Sequence, residues 1–193
     1  MEWKLQDDYP STFEFHEHRE RANHLIHQDH NMRLRRAARM IRECGPSSVV
    51  DLGCGDGGLL KLLDGMDCWG YDFTPANIVG CEERGVDGTL IDVFNTRDVP
   101  RWGQLVVMTE VLEHLANPHD VLEWVSENCE FIVVSSPWGE NPEINQGTDP
   151  CHIWAWDWAG YEELIRKNFS ILWHEKVDWS QLILARSKNV PLV

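Results

Sequence analysis

The sequence predicts a three-layer α/β fold: a doubly wound, mostly parallel seven-stranded sheet that closes with a C-terminal antiparallel β-hairpin. Three observations carry this. A buried-strand run, Val49-Val50-Asp51-Leu52, leads straight into spaced glycines and an apolar helix start, Leu59-Leu60-Lys61-Leu62-Leu63. Strand-like runs then alternate with capped helical segments through five β/α units. Two last strands, near 169–177 and 180–186, are joined only by Val177-Asp178-Trp179-Ser180, too short for a right-handed parallel crossover.

Taken in order, residues 1–17 are polar and aromatic without a period and are expected to form an arm or lid. From about His18 to Arg42, Leu25, Ile26, Met32, Leu34, Ala37, Ala38 and Ile41 supply the apolar faces of a helix, which Gly45-Pro46 closes. The first strand follows at about 47–52 and the second at Cys68–Asp72. Thr74-Pro75 reads as N-cap and first position of a helix ending near Arg84-Gly85. A short third strand, Gly88–Asp92, ends in an acid, and Gln104–Thr109 forms the fourth. Asn117-Pro118 opens the next helix, and Phe131–Ser135 is the fifth strand. A loop rich in Pro, Asn and Trp spans 136–156, and Asp157 caps a helix through Lys167. The chain therefore reads as one domain over 1–193, with an arm and cap helix to residue 45 and the catalytic α/β core over 46–186.

Composition narrows the function. The 193 residues suffice for one α/β domain with a real core and are too few for two. Acids outnumber bases by 32 to 17, a net charge of −15, which speaks against a broad phosphate-tracking surface and hence against nucleic acid. The six cysteines form no Cys-x-x-Cys pair, so reduced thiols in a cytoplasmic protein are expected rather than a zinc knuckle. No apolar run approaches the ~18 residues of a membrane span, and the charged first residues lead us to expect no signal peptide. His16, His18, His24, His27 and His30 lack an acid or Cys framework and read as surface histidines.

The glycine turn is ambiguous by itself. Gly53-x-Gly55-x-x-Gly58 satisfies a dinucleotide fingerprint, and Asp72 lies where that motif places its ribose acid, so a nicotinamide-binding module stays open. However, Asp51-Leu52-Gly53-Cys54-Gly55-Asp56-Gly57 resembles the first motif of the class I S-adenosylmethionine-dependent methyltransferases. The terminal hairpin is similar to theirs, whereas a plain nicotinamide domain stays parallel to its edge. The segment Thr109-Glu110-Val111-Leu112-Glu113-His114-Leu115 resembles the one beside the transferring methyl in small-molecule members, ubiquinone-pathway O-methyltransferases among them. Asn77-Ile78 and Arg84-Gly85-Val86 look like MetW-type proteins. The resemblance covers about 47–186.

It implies S-adenosylmethionine as cofactor and a site at the carboxyl ends of the strands. Asp51, Gly53, Cys54, Gly55 and Gly57 would close over the methionine portion, with Cys54 kept small by the turn. Asp72 would clasp both ribose hydroxyls, Phe73 lie against the adenine, Asp92 take its amino group and the Val93 amide a ring nitrogen. Thr109 ends the strand beside the methyl, and Arg33 or Arg36 of the cap helix would reach the cofactor carboxylate. Helix capping by Asp72 and Asp92 is the ordinary alternative. For an O- or N-nucleophile of a small molecule, His114 is the first candidate base and Glu110 the second, with no metal bound. Besides the nicotinamide-binding module, two other readings remain open. Small-RNA 3′-terminal 2′-O-methyltransferases place two Glu and two His around a divalent metal, as Glu110, Glu113, His114 and His152 would here. MetW-type resemblance allows a cofactor-binding subunit that works only through a partner enzyme, and a homodimer is compatible with either. Trp138, Trp154, Trp156 and Trp158 would line an aromatic acceptor pocket or pack as a lid.

Overall fold

The computed structural model describes residues 1–6, 23–138, 140 and 151–190. A three-residue strand, β1 (Glu2–Lys4), comes first, and helix α1 spans Gln28–Cys44. The core then runs β2 (Val49–Leu52), α2 (Gly58–Leu62), β3 (Cys68–Asp72), α3 (Pro75–Arg84), β4 (Gly88–Leu90), α4 (Val93–Thr96) and β5 (Leu105–Thr109). A 3₁₀ turn (Leu112–His114) leads to α5 (Pro118–Ser126), β6 (Phe131–Pro137), β7 (Trp154–Trp156), α6 (Trp158–Arg166) and the hairpin β8 (Phe169–Val177) and β9 (Ser180–Ser187).

The main sheet has seven strands in the order β4-β3-β2-β5-β6-β9-β8. Its first five are parallel, and β9 joins β6 and β8 antiparallel, as the short 177–180 connection requires. Alternation along the strands divides the core in two. Val50, Leu52, Val106, Met108, Ile132 and Val134 face α5 and α6, whereas Val49, Leu105, Val107 and Val133 face Leu34, Ala37 and Ile41 of α1 and Leu59 and Leu63 at α2. Both faces are covered, so these strands read as continuous apolar runs rather than alternating ones.

Local chemistry sets the boundaries. Gly45 and Gly85 end α1 and α3 in the left-handed conformation (φ 68° and 67°). Asn117 and Asp157 cap α5 and α6 by accepting from the Asp120 and Gly160 amides. Thr74 occupies the N-cap of α3 without a side-chain cap bond, because Asp72 Oδ1 accepts from the Thr74 amide (2.8 Å) and Asn77 Nδ2 (3.1 Å) instead.

Two expectations change. The arm is not irregular throughout: β1 pairs antiparallel with β7, Glu2 opposite Trp156 and Lys4 opposite Trp154. The cap helix begins at Gln28, ten residues later than its apolar pattern, with a turn over 24–27; the expectation for 18–22, like that for 7–17, lies outside the described residues. The aromatic run also divides. Trp154 and Trp156 share a strand face and stack nearly parallel (6.3 Å, 11°), but Trp158 already belongs to α6 and stacks on His174 at 3.4 Å. Trp156 is fully buried core, whereas Trp138 stays 39% exposed at the rim.

The bend after β2 depends on glycine. Gly57 has φ 73°, and a Cβ there would stand 2.6 Å from Val86 Cγ2 and 3.0 Å from Cys81 Sγ. Gly85 has similar backbone but open space around it. Gly57→Ala is therefore expected to cost about 3 kcal/mol, strain plus overpacking, and Gly85→Ala about 1 kcal/mol. Denaturant midpoints of the two variants check the ordering.

Candidate active site

Connections leave β2 toward β3 and β4 on one side and toward β5 and β6 on the other. Open α/β sheets bind ligands outside the carboxyl ends at such a switch point. Here the glycine bend rises from β2, Asp72 ends β3, and Glu110 follows β5. Gly53, Gly55 and Gly57 all have left-handed φ, and the Gly53 and Cys54 amides both donate to the Tyr71 carbonyl (2.8 and 3.1 Å). Cys54 is buried against Gly70, where an added Cβ would meet its Sγ at 2.6 Å, so the close approach of the bend to β3 depends on glycine at 70. All six cysteines are free thiols.

Asp72 is the hinge of the site. It is 7% exposed, and its Oδ2 accepts from the Gly55 amide at 2.9 Å, which ties the end of β3 to the middle of the bend. Asp51 lies beneath, buried, with Oδ1 lacking a hydrogen-bond partner; burial and the nearby Asp72 charge push its carboxyl up to about 8. Phe73 follows Asp72, half-buried. Asp92 serves as N-cap of α4, its Oδ1 accepting from the Asn95 amide (3.2 Å) and its Oδ2 from Asn95 Nδ2 (2.6 Å), which is the ordinary role left open for it. Val93 opens that helix, where the first N–H has no partner within the helix itself.

A second group gathers beyond β5. Thr109 ends the strand opposite Ser135 of β6. Glu110 takes a left-handed conformation (φ 56°) uncommon outside glycine, and its carboxylate accepts from Ser135 Oγ (2.8 Å) and Ser180 Oγ (3.3 Å). Arg33 reaches it from α1, Nη1 to Oε2 at 3.6 Å. Arg33 is 3% exposed, yet its Nε and Nη1 make no hydrogen bond, whereas Arg36 is spent on Glu175. Glu113 is wholly buried with both oxygens unpartnered; desolvation first, then the Glu110 charge, raise its carboxyl far above the ordinary range. His114 and His152 meet it there, their rings 4.8 Å apart.

The sequence missed what fastens the bend. Asp56, fully buried, bonds Arg84 Nη2 (2.5 Å) and His24 Nδ1 (3.1 Å), and its carbonyl accepts from Arg84 Nε (2.9 Å). Arg84 Nη2 also donates to Asn23 Oδ1 (2.7 Å). His24 is thus a partner of the bend rather than a surface histidine. Nothing in the spacing of 24, 56 and 84 signals this; only a basic residue in the last turn of α3 hints at it. Ser135 and Ser180, which hold Glu110, and Glu140, whose Oε2 meets His152 Nδ1 at 2.7 Å, are likewise not signalled by the sequence.

A family model described as a methyltransferase domain matches residues 28–165, from the start of α1 to the end of α6. The chain belongs to the methyltransferase-domain family. With the hairpin-closed sheet and the Asp72-bound glycine bend, it is a class I S-adenosylmethionine-dependent methyltransferase, as its first motif implies. The fold is shared with solved structures of low identity. The N-methyltransferase NodS from Bradyrhizobium japonicum WM9, in complex with S-adenosylhomocysteine, is 15% identical with a TM-score of 0.69, covering 92% of this chain and 97% of that one. Magnesium protoporphyrin IX methyltransferase from Synechocystis PCC 6803, also with bound S-adenosylhomocysteine, is 13% identical (TM-score 0.68; 91% and 92% covered). The [4+2]-cyclase SpnF aligns as well (13%, TM-score 0.63; 79% and 80%), so the fold alone does not name an acceptor. No curated protein matches this methyltransferase by sequence. Among the described residues, no helix is long and apolar enough to cross a membrane.

Proposed function

We propose that this methyltransferase moves the methyl group of S-adenosylmethionine to an oxygen or nitrogen of a small molecule bound between the glycine bend and the turn after β5. The observation that carries this is the Asp72–Gly55 bond at the switch point, which sets a carboxylate and half-buried glycine main chain side by side. Asp72 accepts from the ribose hydroxyls, Phe73 flanks the adenine, and Asp92 with the Val93 amide reads its edge. Asp51 faces the cofactor's ammonium, and Arg33, rather than Arg36, meets its carboxylate. That the bound neighbours carry S-adenosylhomocysteine supports the same placement.

Transfer is an in-line displacement. The acceptor's lone pair forms the new bond to the methyl carbon, the C–S bond breaks, and its electron pair stays on sulfur. The acceptor's proton passes to His114. Its Nδ1 faces the Cys151 carbonyl (3.0 Å), which can only accept, so Nδ1 holds a proton and Nε2 presents the lone pair. Glu110, committed to Ser135, Ser180 and Arg33, positions rather than accepts.

Methyl-labelled cofactor incubated with an extract should label molecules below about 1 kDa, roughly the size a single pocket holds. His114→Ala should lower that transfer by a factor of about 10²–10⁴ while S-adenosylhomocysteine still binds. Label confined to RNA or protein, or no transfer at all, overturns the reading.

A further inference from the structure

We propose that Glu113, His114 and His152 form a binding site for one borderline divalent cation of the manganese-to-zinc series, and that this ion holds an oxygen nucleophile of the acceptor. The proposal rests on the acceptor position given above, and it replaces the expectation from sequence that the site carries no metal.

The donor atoms of the three residues lie within 4.8 Å of one another. Two ligands on one ion at about 2.1 Å are at most about 4.2 Å apart, so a small side-chain adjustment closes the set. The backbone holds the two segments together: the Ile153 amide donates to the Glu113 carbonyl at 2.7 Å, docking 151–153 on the 3₁₀ turn. Each imidazole is oriented from behind. His114 Nδ1 is bonded to the Cys151 carbonyl, and His152 Nδ1 to Glu140 Oε2 (2.7 Å). A ring whose Nδ1–H is given to a carbonyl or carboxylate offers Nε2 as ligand, which is how ligating histidines are ordinarily fixed.

Glu113 is the independent sign. Its side chain is completely buried, and neither oxygen has a hydrogen-bond partner among the described residues. A cation in front of it would give the carboxylate a partner. Glu110 is not part of the set; Ser135, Ser180 and Arg33 occupy it.

Two nitrogens and one carboxylate favour manganese, iron, cobalt or zinc over magnesium or calcium, which take mainly oxygen. Three protein ligands leave positions for an acceptor hydroxyl. Coordination acidifies that hydroxyl, its proton passes to water, and the oxygen attacks the methyl carbon with the electron bookkeeping already given. With the ion bound, His114 Nε2 is a ligand and water takes the proton; in the ion-free protein it is the base described above.

The test is titration of chelator-treated protein with Co²⁺ alone, followed by its visible absorption, beside Glu113→Gln and His152→Ala and with S-adenosylhomocysteine calorimetry on each. One ion per chain is expected, with affinity at least tenfold weaker in both variants while S-adenosylhomocysteine binds all three alike. No stoichiometric band up to millimolar Co²⁺, or a band that both variants keep, overturns it. Loss of S-adenosylhomocysteine binding in the wild type would instead sink the cofactor reading, so the two failures are distinct. Should Glu113→Gln fail to bind S-adenosylhomocysteine, His152→Ala decides.

Discussion

Asp72→Asn is expected to weaken S-adenosylhomocysteine binding by roughly a hundredfold, about 3 kcal/mol, and to lower the melting temperature by a few degrees. The carboxylate offers two oxygens to ribose hydroxyls, and charge-assisted bonds of this kind are the strong ones. It also presets the bend, because Oδ2 holds the Gly55 amide at 2.9 Å. The amide side chain keeps the shape and one acceptor, toward the Thr74 amide, but presents N–H₂ to a backbone donor or to the sugar. Calorimetric titration of both proteins reads the difference. Affinity within threefold of the wild type would mean that the sugar is not held at β3.

The second large effect falls on stability. Asp56→Asn should cost about 3–5 kcal/mol, since it leaves the Arg84 guanidinium partly uncompensated beside a buried site. For a domain of this size that corresponds to a melting temperature lower by roughly 10 °C. The wild type carries the pH signature of the same contact. Burial pushes Asp56 up, but the hydrogen bonds and charges of His24 and Arg84 together outweigh it and hold the carboxyl at about 2, against an ordinary 3.8. A carboxylate depressed in the folded state contributes stability that is fully present above the unfolded value and disappears as pH falls through the folded one. The contribution, about 2 kcal/mol, should thus be intact above about pH 4 and lost between about 4 and 2. Denaturant unfolding across that range checks it: the variant should show a shallower acid slope than the wild type.

Elements that carry their own chemistry were legible in the sequence. Thr74-Pro75 and Gly85 bound α3 as the residues indicate, and the Val177–Ser180 connection dictated the antiparallel end of the sheet. The glycine bend, Asp72 and the Glu110-to-His114 segment were recognisable because strand ends place them on one rim. Features made by distant pairing were not. A three-residue strand such as Glu2–Lys4 has no period to read, and its partner lies some 150 residues on. The Asp56–Arg84–His24 contact joins a bend, a helix end and the approach to α1, none of which announces the others. Asp92 shows the limit from the other side, since an acid after a strand serves a helix cap and a ligand with the same two oxygens. The approach of His152 to Glu113 depends on where 151–153 docks, which no local pattern encodes.

The central claim is that a sulfonium nucleoside occupies the crevice over the Gly53–Gly57 bend. Its most direct measurement is calorimetric titration of the unmodified protein with S-adenosylhomocysteine and, separately, with NAD⁺. Saturable one-to-one binding of the first and no heat from the second is the predicted result; binding of NAD⁺ that S-adenosylhomocysteine fails to displace would contradict it.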